Sequence, residues 1–224
     1  MKNTALKKSV LTASFVSMAV VVGFIQIPWP PAPFLSLDFS EVIILACLIT
    51  LGFKLASVTI ILRSIIRLLM GLTTTAGSAL PYFGEVMAIL ASFSIIVAYI
   101  IITKITKTNH KPLILYKEED PKRPTVLQTI INISFVTLSF TLVMVLFNFF
   151  FAIPINTSGG EHVFVKSYVD AGFGGNIWAY TTFLIPIILP FNLTKGIITM
   201  LIYEPIHFRL RLMEIEQNTE PTFE

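Results

Sequence analysis

Lys195 stands in Phe191-Asn192-Leu193-Thr194-Lys195-Gly196, inside an apolar stretch that runs from Trp178 to about Phe208. A charged group at membrane depth costs roughly 2.5–3.5 kcal/mol on insertion scales, so it marks a site and requires a partner. Asn192 and Lys195 are three residues apart and share a helix face. Together they form a polar grip for a ligand or a carboxylate. Arg63 and Arg67, four apart, share a face of another apolar segment, and Glu85 is a candidate partner for either. Buried Arg–Glu pairs commonly lock helices together without touching a substrate, so these three residues read equally well as structural. Asn148, in Phe147-Asn148-Phe149-Phe150-Phe151, is an amide among aromatics. It suits a bond to a neighbouring helix or, with Asn192, the reading of a planar ring stacked between aromatic side chains.

The elements that must position these groups follow from hydropathy. With 54% hydrophobic and 13% charged residues and a mean hydropathy of +0.80, the 224-residue chain has the composition of an integral membrane protein. The fold class is all-α, a single bundle of six transmembrane helices. The spans cover about 9–27, 40–53, 55–71, 82–103 and 126–151, with a last one ending near 208. The first run lacks a small-x-small cleavage site and ends in Pro28-Trp29-Pro30-Pro31, so it reads as a retained helix with Trp29 as an interfacial anchor. The second span rises only ~21 Å, short of the ~30 Å hydrocarbon core. It must be tilted, sheltered by neighbours or extended by its flanking loop. Ser40 followed by Glu41 reads as its start. Pro186 and Pro190 interrupt the last run, and proline is best tolerated in a helix's first turn. A helix starting at Pro190 places Asn192 and Lys195 in its first two turns, where the helix dipole disfavours a cation.

Charge sets the orientation. Twelve of the sixteen Lys and Arg residues fall before the first span, between the second and third, between the fourth and fifth, or after the sixth. By the positive-inside rule both termini are cytoplasmic. The outer face is then built from loops 28–39, 72–81 and 152–180, the last with Gly159-Gly160 and Gly172 to Gly175 for tight turns over a pocket.

The sequence holds no G-x-x-x-x-G-K-[ST] loop, no His-x-x-x-His or Cys-x-x-Cys pair, and no nucleophile–base constellation, so no catalytic residue and no metal ligand is assigned. The single Cys47 permits no intrachain disulfide. Paired broken helices of the secondary-transporter kind are missing as well. The expectation is a small membrane protein that borrows energy from partners and contacts lipid but not nucleic acid.

At the level of motifs the chain resembles the substrate-binding S components of energy-coupling factor (ECF) vitamin transporters, most closely the riboflavin-binding branch. Pro33-Phe34-Leu35-Ser36-Leu37-Asp38-Phe39-Ser40-Glu41 resembles that branch's P-F-L-K-L-D-F-S-D. Gly71-Leu72-Thr73-Thr74-Thr75 is similar to its G-G-S-T-T, and Phe147-Asn148-Phe149-Phe150 with Ile153-Pro154 to its N-Y-F…I-P. Pro190-Phe191-Asn192-Leu193-Thr194-Lys195-Gly196 is similar to its P-F-N-L-x-K-G. The family's G-E-L-x-N-F reads Ala79-Leu80-Pro81-Tyr82-Phe83-Gly84-Glu85 here, and its third-helix lysine is replaced by Arg63.

The resemblance implies a bacterial cell-membrane subunit that binds riboflavin as cargo, needs no cofactor, and is not an enzyme. It implies that Asn148, Asn192 and Lys195 hydrogen-bond the isoalloxazine ring or ribityl chain, with Leu37, Asp38 and Phe39 closing the pocket. It further implies docking on a transmembrane T component and two cytosolic ATPases through a small-residue face, for which Ala13 and Ser17 stand in. Residues 1–8 then form a cytoplasmic segment, 9–210 the substrate-binding membrane domain and 211–224 a cytoplasmic tail. An S component for pantothenate or folate, and a non-transport assembly protein, are the alternatives.

Overall fold

The computed structural model describes residues 2–71, 82–106, 113, 125–157, 172–173 and 176–219. Helix α1 (Lys2–Val22) leads into an antiparallel hairpin of β1 (Gln26–Trp29) and β2 (Ala32–Asp38). Then follow α2 (Ser40–Leu51), α3 (Phe53–Leu69), α4 (Phe83–Ile105) and α5 (Val126–Phe147). A π-helical turn, Asn148–Ala152, carries α5 into the short α6 (Ile153–Thr157), and α7 spans Ile177–Thr219. Among the described residues four helical stretches are long and apolar enough to cross a membrane: Ala5–Val22, Phe83–Ile105, Val126–Ile155 and Ile177–Leu210. With α2 and α3 they make up a bundle of six long helices.

Helix α3 shows what solvent this bundle is built for. Its buried residues are Ala56, Thr59, Ile60, Arg63, Ser64 and Arg67, whereas Ile61, Leu62, Ile65, Leu68 and Leu69 point outward. Charge inside and aliphatic side chains outside is the arrangement that lipid favours. Helix α2 meets the short-span problem by shelter. Ten of its twelve residues are buried, and α1, α3, α4 and α7 all pack against it. An apolar surface all round suits such a central position. Gly52 alone joins α2 to α3, at φ 87°, a left-handed conformation that glycine adopts without a Cβ clash. Lys54, expected in a connection, therefore lies in the first turn of α3.

The segment after α1 departs from expectation. The first helix ends at Val22, and 26–38 forms a hairpin in which Gln26 pairs with Asp38, Ile27 with Leu37 and Pro28 with Ser36. A two-stranded ribbon has only edge strands, which accommodate a proline without an N–H. Trp29 is half-buried, and its ring packs edge-on against Phe191 of α7 with centroids 5.9 Å apart.

Helix α7 departs further. It runs unbroken through Pro186, Pro190 and Pro205. Proline interrupts one backbone bond, a loss that packed neighbours and local adjustments absorb in membrane helices. Lys195 thus lies about 27 Å along the helix, near the middle of its apolar part and away from the N-terminal dipole. The apolar part, Ile177–Leu210, is ~51 Å long at 1.5 Å per residue, so it tilts or projects beyond a ~30 Å core. The expected features at 73–75, 79–81, Gly159-Gly160, Gly174-Gly175 and most of the basic 104–125 connection lie outside the described residues.

Candidate functional site

Because α2 begins level with the middle of α7, a space remains beyond its first turn. The hairpin, the start of α4, the end of α5 and the first half of α7 enclose it. The space, counted together with its open mouth, amounts to about 880 Å³. Leu35, Ser36 and Asp38 of β2 form one wall; Asn148, Ile188, Phe191, Asn192 and Lys195 form another. Phe83, Gly84, Met87, Ala88 and Ala91 of α4, with Phe140 and Met144 of α5, make the rest apolar.

Asp38, Asn148 and the Asn192/Lys195 pair, far apart in sequence, therefore meet at one cavity. Leu37 and Phe39 are outside its lining. Leu37 lies on the face of β2 opposite Ser36 and Asp38, although Leu35, two residues earlier, also reaches the cavity. Leu37 is buried and pairs with Ile27, and Phe39 is half-buried at the start of α2.

Lys195 has two carboxylate partners. Its Nζ lies 3.1 Å from Oε1 of Glu41 and 3.6 Å from Oδ2 of Asp38. Asp38 Oδ1 accepts from the backbone N–H of Ser40 at 3.1 Å and from its hydroxyl at 2.6 Å. Arg63, fully buried, donates from Nη1 to Ser40 Oγ at 2.7 Å. Burial opposes charge on Asp38, but the Lys195 ammonium and the hydrogen bonds around the carboxyl outweigh it, holding the group well below the usual carboxylate range. One polar cluster thus ties β2, α2, α3 and α7 together beside the cavity.

The second cluster lies next to it. Arg67 Nε is 3.2 Å from Glu85 Oε1, and Arg67 Nη1 donates to the Gly23 carbonyl at 3.4 Å, linking α1, α3 and α4. Of the two arginines, it is Arg67 that takes Glu85 as its ion-pair partner. Neither arginine lines the cavity.

The two asparagines are placed alike. Asn148 donates from Nδ2 to the Met144 carbonyl at 2.7 Å, and Asn192 to that of Ile188 at 2.8 Å, each four residues back. A primary amide has two N–H donors and a carbonyl oxygen, so each keeps a donor and an acceptor for recognition. The π turn begins at Asn148, whose carbonyl accepts from the N–H of Ile153. Such turns shift the side-chain register within a helix and recur at functional sites. Gly196 lets α7 press against α5: a Cβ there would stand 3.0 Å from Thr137 Cγ2.

Sequence reasoning missed Glu41 as the partner of Lys195, reading it only as a helix-start signal. It also missed Gly84, Ala88 and Ala91, whose four- and three-residue spacing places small side chains on one face of α4. Ala13 and Ser17 are both exposed on the outer face of α1.

Three comparisons with known proteins bear on this geometry. The family model described as the substrate-specific component of ECF transporters matches residues 7–207. A solved structure, described as the S component of a bacterial ECF transporter, superposes with a TM-score of 0.64 at 19% identity, covering 95% of this chain and 98% of that one. The curated proteins contain no match.

Proposed function

The chain belongs to the substrate-specific components of ECF transporters, and from that membership we propose that it is the riboflavin-binding subunit of such an importer. Members of this family are membrane-embedded substrate-binding subunits, not enzymes, and they work in complexes with a T component and ATPases. The observation that carries the riboflavin reading is the convergence of Asp38, Asn148, Asn192 and Lys195 on one otherwise apolar cavity. Apolar walls with a few polar groups suit a flat heteroaromatic ring that is hydrogen-bonded along its edge. In this reading Asn148, Asn192 and Lys195 bond the ring or ribityl chain, and the hairpin carrying Asp38 closes over it, with Leu37 and Phe39 packing behind.

Both termini are cytoplasmic in the proposed orientation, so the cavity opens outward and α1 offers Ala13 and Ser17 to the T component. Small residues permit close helix approach within a membrane. Two cytosolic ATPases then supply the energy, for which this chain has no nucleotide loop of its own.

The experiment is an absorption spectrum of the purified protein. Yellow protein whose flavin fluorescence is quenched and returns on denaturation supports riboflavin. Colourless protein that fails to quench micromolar riboflavin rejects it. A second reading, in which Lys195 serves only packing, is favoured by its two carboxylate partners. It is separated from the first by the Lys195 variants discussed below.

A further inference from the structure

Lys195 is the cation of the cavity wall and Asp38 its anion; among the described lining residues no other side chain carries a formal charge. The two stand 3.6 Å apart, and Glu41 approaches the same ammonium at 3.1 Å. Both contacts are ion pairs, and the ammonium, with three N–H donors, can still donate to a ligand. Asp38 Oδ1 is occupied by the Ser40 N–H and hydroxyl, whereas Oδ2 faces Lys195 and retains a lone pair. The wall therefore offers a donor beside an acceptor, with the two asparagine amides nearby, and Lys195 and Arg63 balance Asp38 and Glu41 so that the cluster carries no net charge.

This arrangement sorts ligands by charge. A carboxylate or phosphate drawn to Lys195 comes within a few ångströms of Asp38, whose repulsion cancels most of the attraction. The anion's lost hydration is then uncompensated. A cation meets the converse at Lys195. An uncharged molecule with an acceptor next to a donor, such as a lactam or imide edge or neighbouring hydroxyls, avoids both penalties and satisfies both groups.

We propose that Asp38 and Glu41 are specificity-determining residues, neutralising Lys195 and Arg63 so that the cavity selects uncharged heterocycles or polyols and rejects anionic and cationic ones. The inference rests on reading the cavity as the vitamin site and adds the ligand's charge class to that reading.

The test is a set of titrations on the purified full-length protein in detergent. Riboflavin and riboflavin 5′-phosphate, which differ by one anionic group, are compared by fluorescence quenching. Pantothenate and folate as anions, and thiamine as a cation, are compared by calorimetry. The phosphate should bind at least about tenfold more weakly than riboflavin, and the charged vitamins should give no heat. Asp38→Asn leaves one positive charge in excess among Lys195, Arg63 and Glu41, so the phosphate-to-riboflavin affinity ratio should rise at least about tenfold. Glu41→Gln tests the same shift if Asp38→Asn does not fold. An unchanged ratio in these variants, or equal binding of both flavins by the unmodified protein, overturns the charge rule. Tight binding of pantothenate overturns it too, yet leaves membership in a vitamin importer standing. Binding of an uncharged vitamin other than riboflavin upholds the charge rule and overturns the riboflavin assignment.

Discussion

Lys195 Nζ and Glu41 Oε1 lie 3.1 Å apart, joining the middle of the longest helix to the first turn of the shortest long one. This pair, extended through Asp38, is where the cavity and the stability of the bundle meet. Consequences for folding and for binding separate cleanly when the partners are changed in different combinations.

Lys195→Met leaves two carboxylates facing each other in a buried place. Removing one partner of a buried pair costs about 3–5 kcal/mol, so the melting temperature should fall sharply. Lys195→Met with Glu41→Gln should recover part of that loss, because fewer uncompensated charges remain. Riboflavin affinity should fall in both variants. Retention of affinity in the double variant, read by fluorescence quenching, would assign Lys195 to packing alone.

Asn148→Leu and Asn192→Leu each remove a recognition amide while giving up only a bond to their own helix. A lost hydrogen bond with a desolvated partner left behind costs ~1–3 kcal/mol. Riboflavin binding should weaken by about tenfold or more in each, with melting temperature nearly unchanged. A large drop in melting temperature at unchanged affinity would remove the amides from the site.

Gly196→Ala should force α7 away from α5, since the new methyl would meet Thr137 Cγ2 at 3.0 Å and Thr137 Cα at 3.2 Å. Overpacking of this kind costs ~1–3 kcal/mol. Thr137→Ala removes the opposing methyl, so the double variant should be more stable than Gly196→Ala alone. A thermal double-mutant cycle measures the coupling, and additive effects would dismiss the contact.

Arg67→Met and Glu85→Gln should each destabilise the bundle more than the double change does, because each alone strands a buried charge or its partner. Gly23→Ala should also destabilise, since a methyl at that position would run into Arg67 Nη1, which Glu85 holds in place. None of these changes touches the cavity lining. Flavin affinity measured at a temperature where all variants remain folded should therefore stay within about threefold.

The long apolar elements were legible because lipid imposes simple demands on them. A membrane helix must be long and apolar, and its charged residues must turn inward, so Arg63, Arg67 and Lys195 announced themselves against that background. The segment 26–38 was harder. Its prolines and apolar residues resemble a loop, and the alternation that makes Ser36 and Asp38 face the cavity while Leu37 turns away acquires meaning only once the strand has a partner.

The prolines of α7 misled for a related reason. Pro190 weakens a helix locally, but whether it ends one depends on the neighbours packed around it, and those come from distant parts of the chain. The depth of Lys195 changed with that outcome, and so did its partners.

By itself, the sequence determined the membrane class, the helix count expected and the residues too polar to be lipid-facing, since these depend on composition along short stretches. The tertiary structure decided that Glu41 and Asp38 share one ammonium, that Arg67 takes Glu85 while Arg63 takes Ser40, and that small residues of α4 open the cavity. Pairing among buried charges is a matter of distance between separate helices, and at a few ångströms in a low-dielectric interior that distance sets which partner wins.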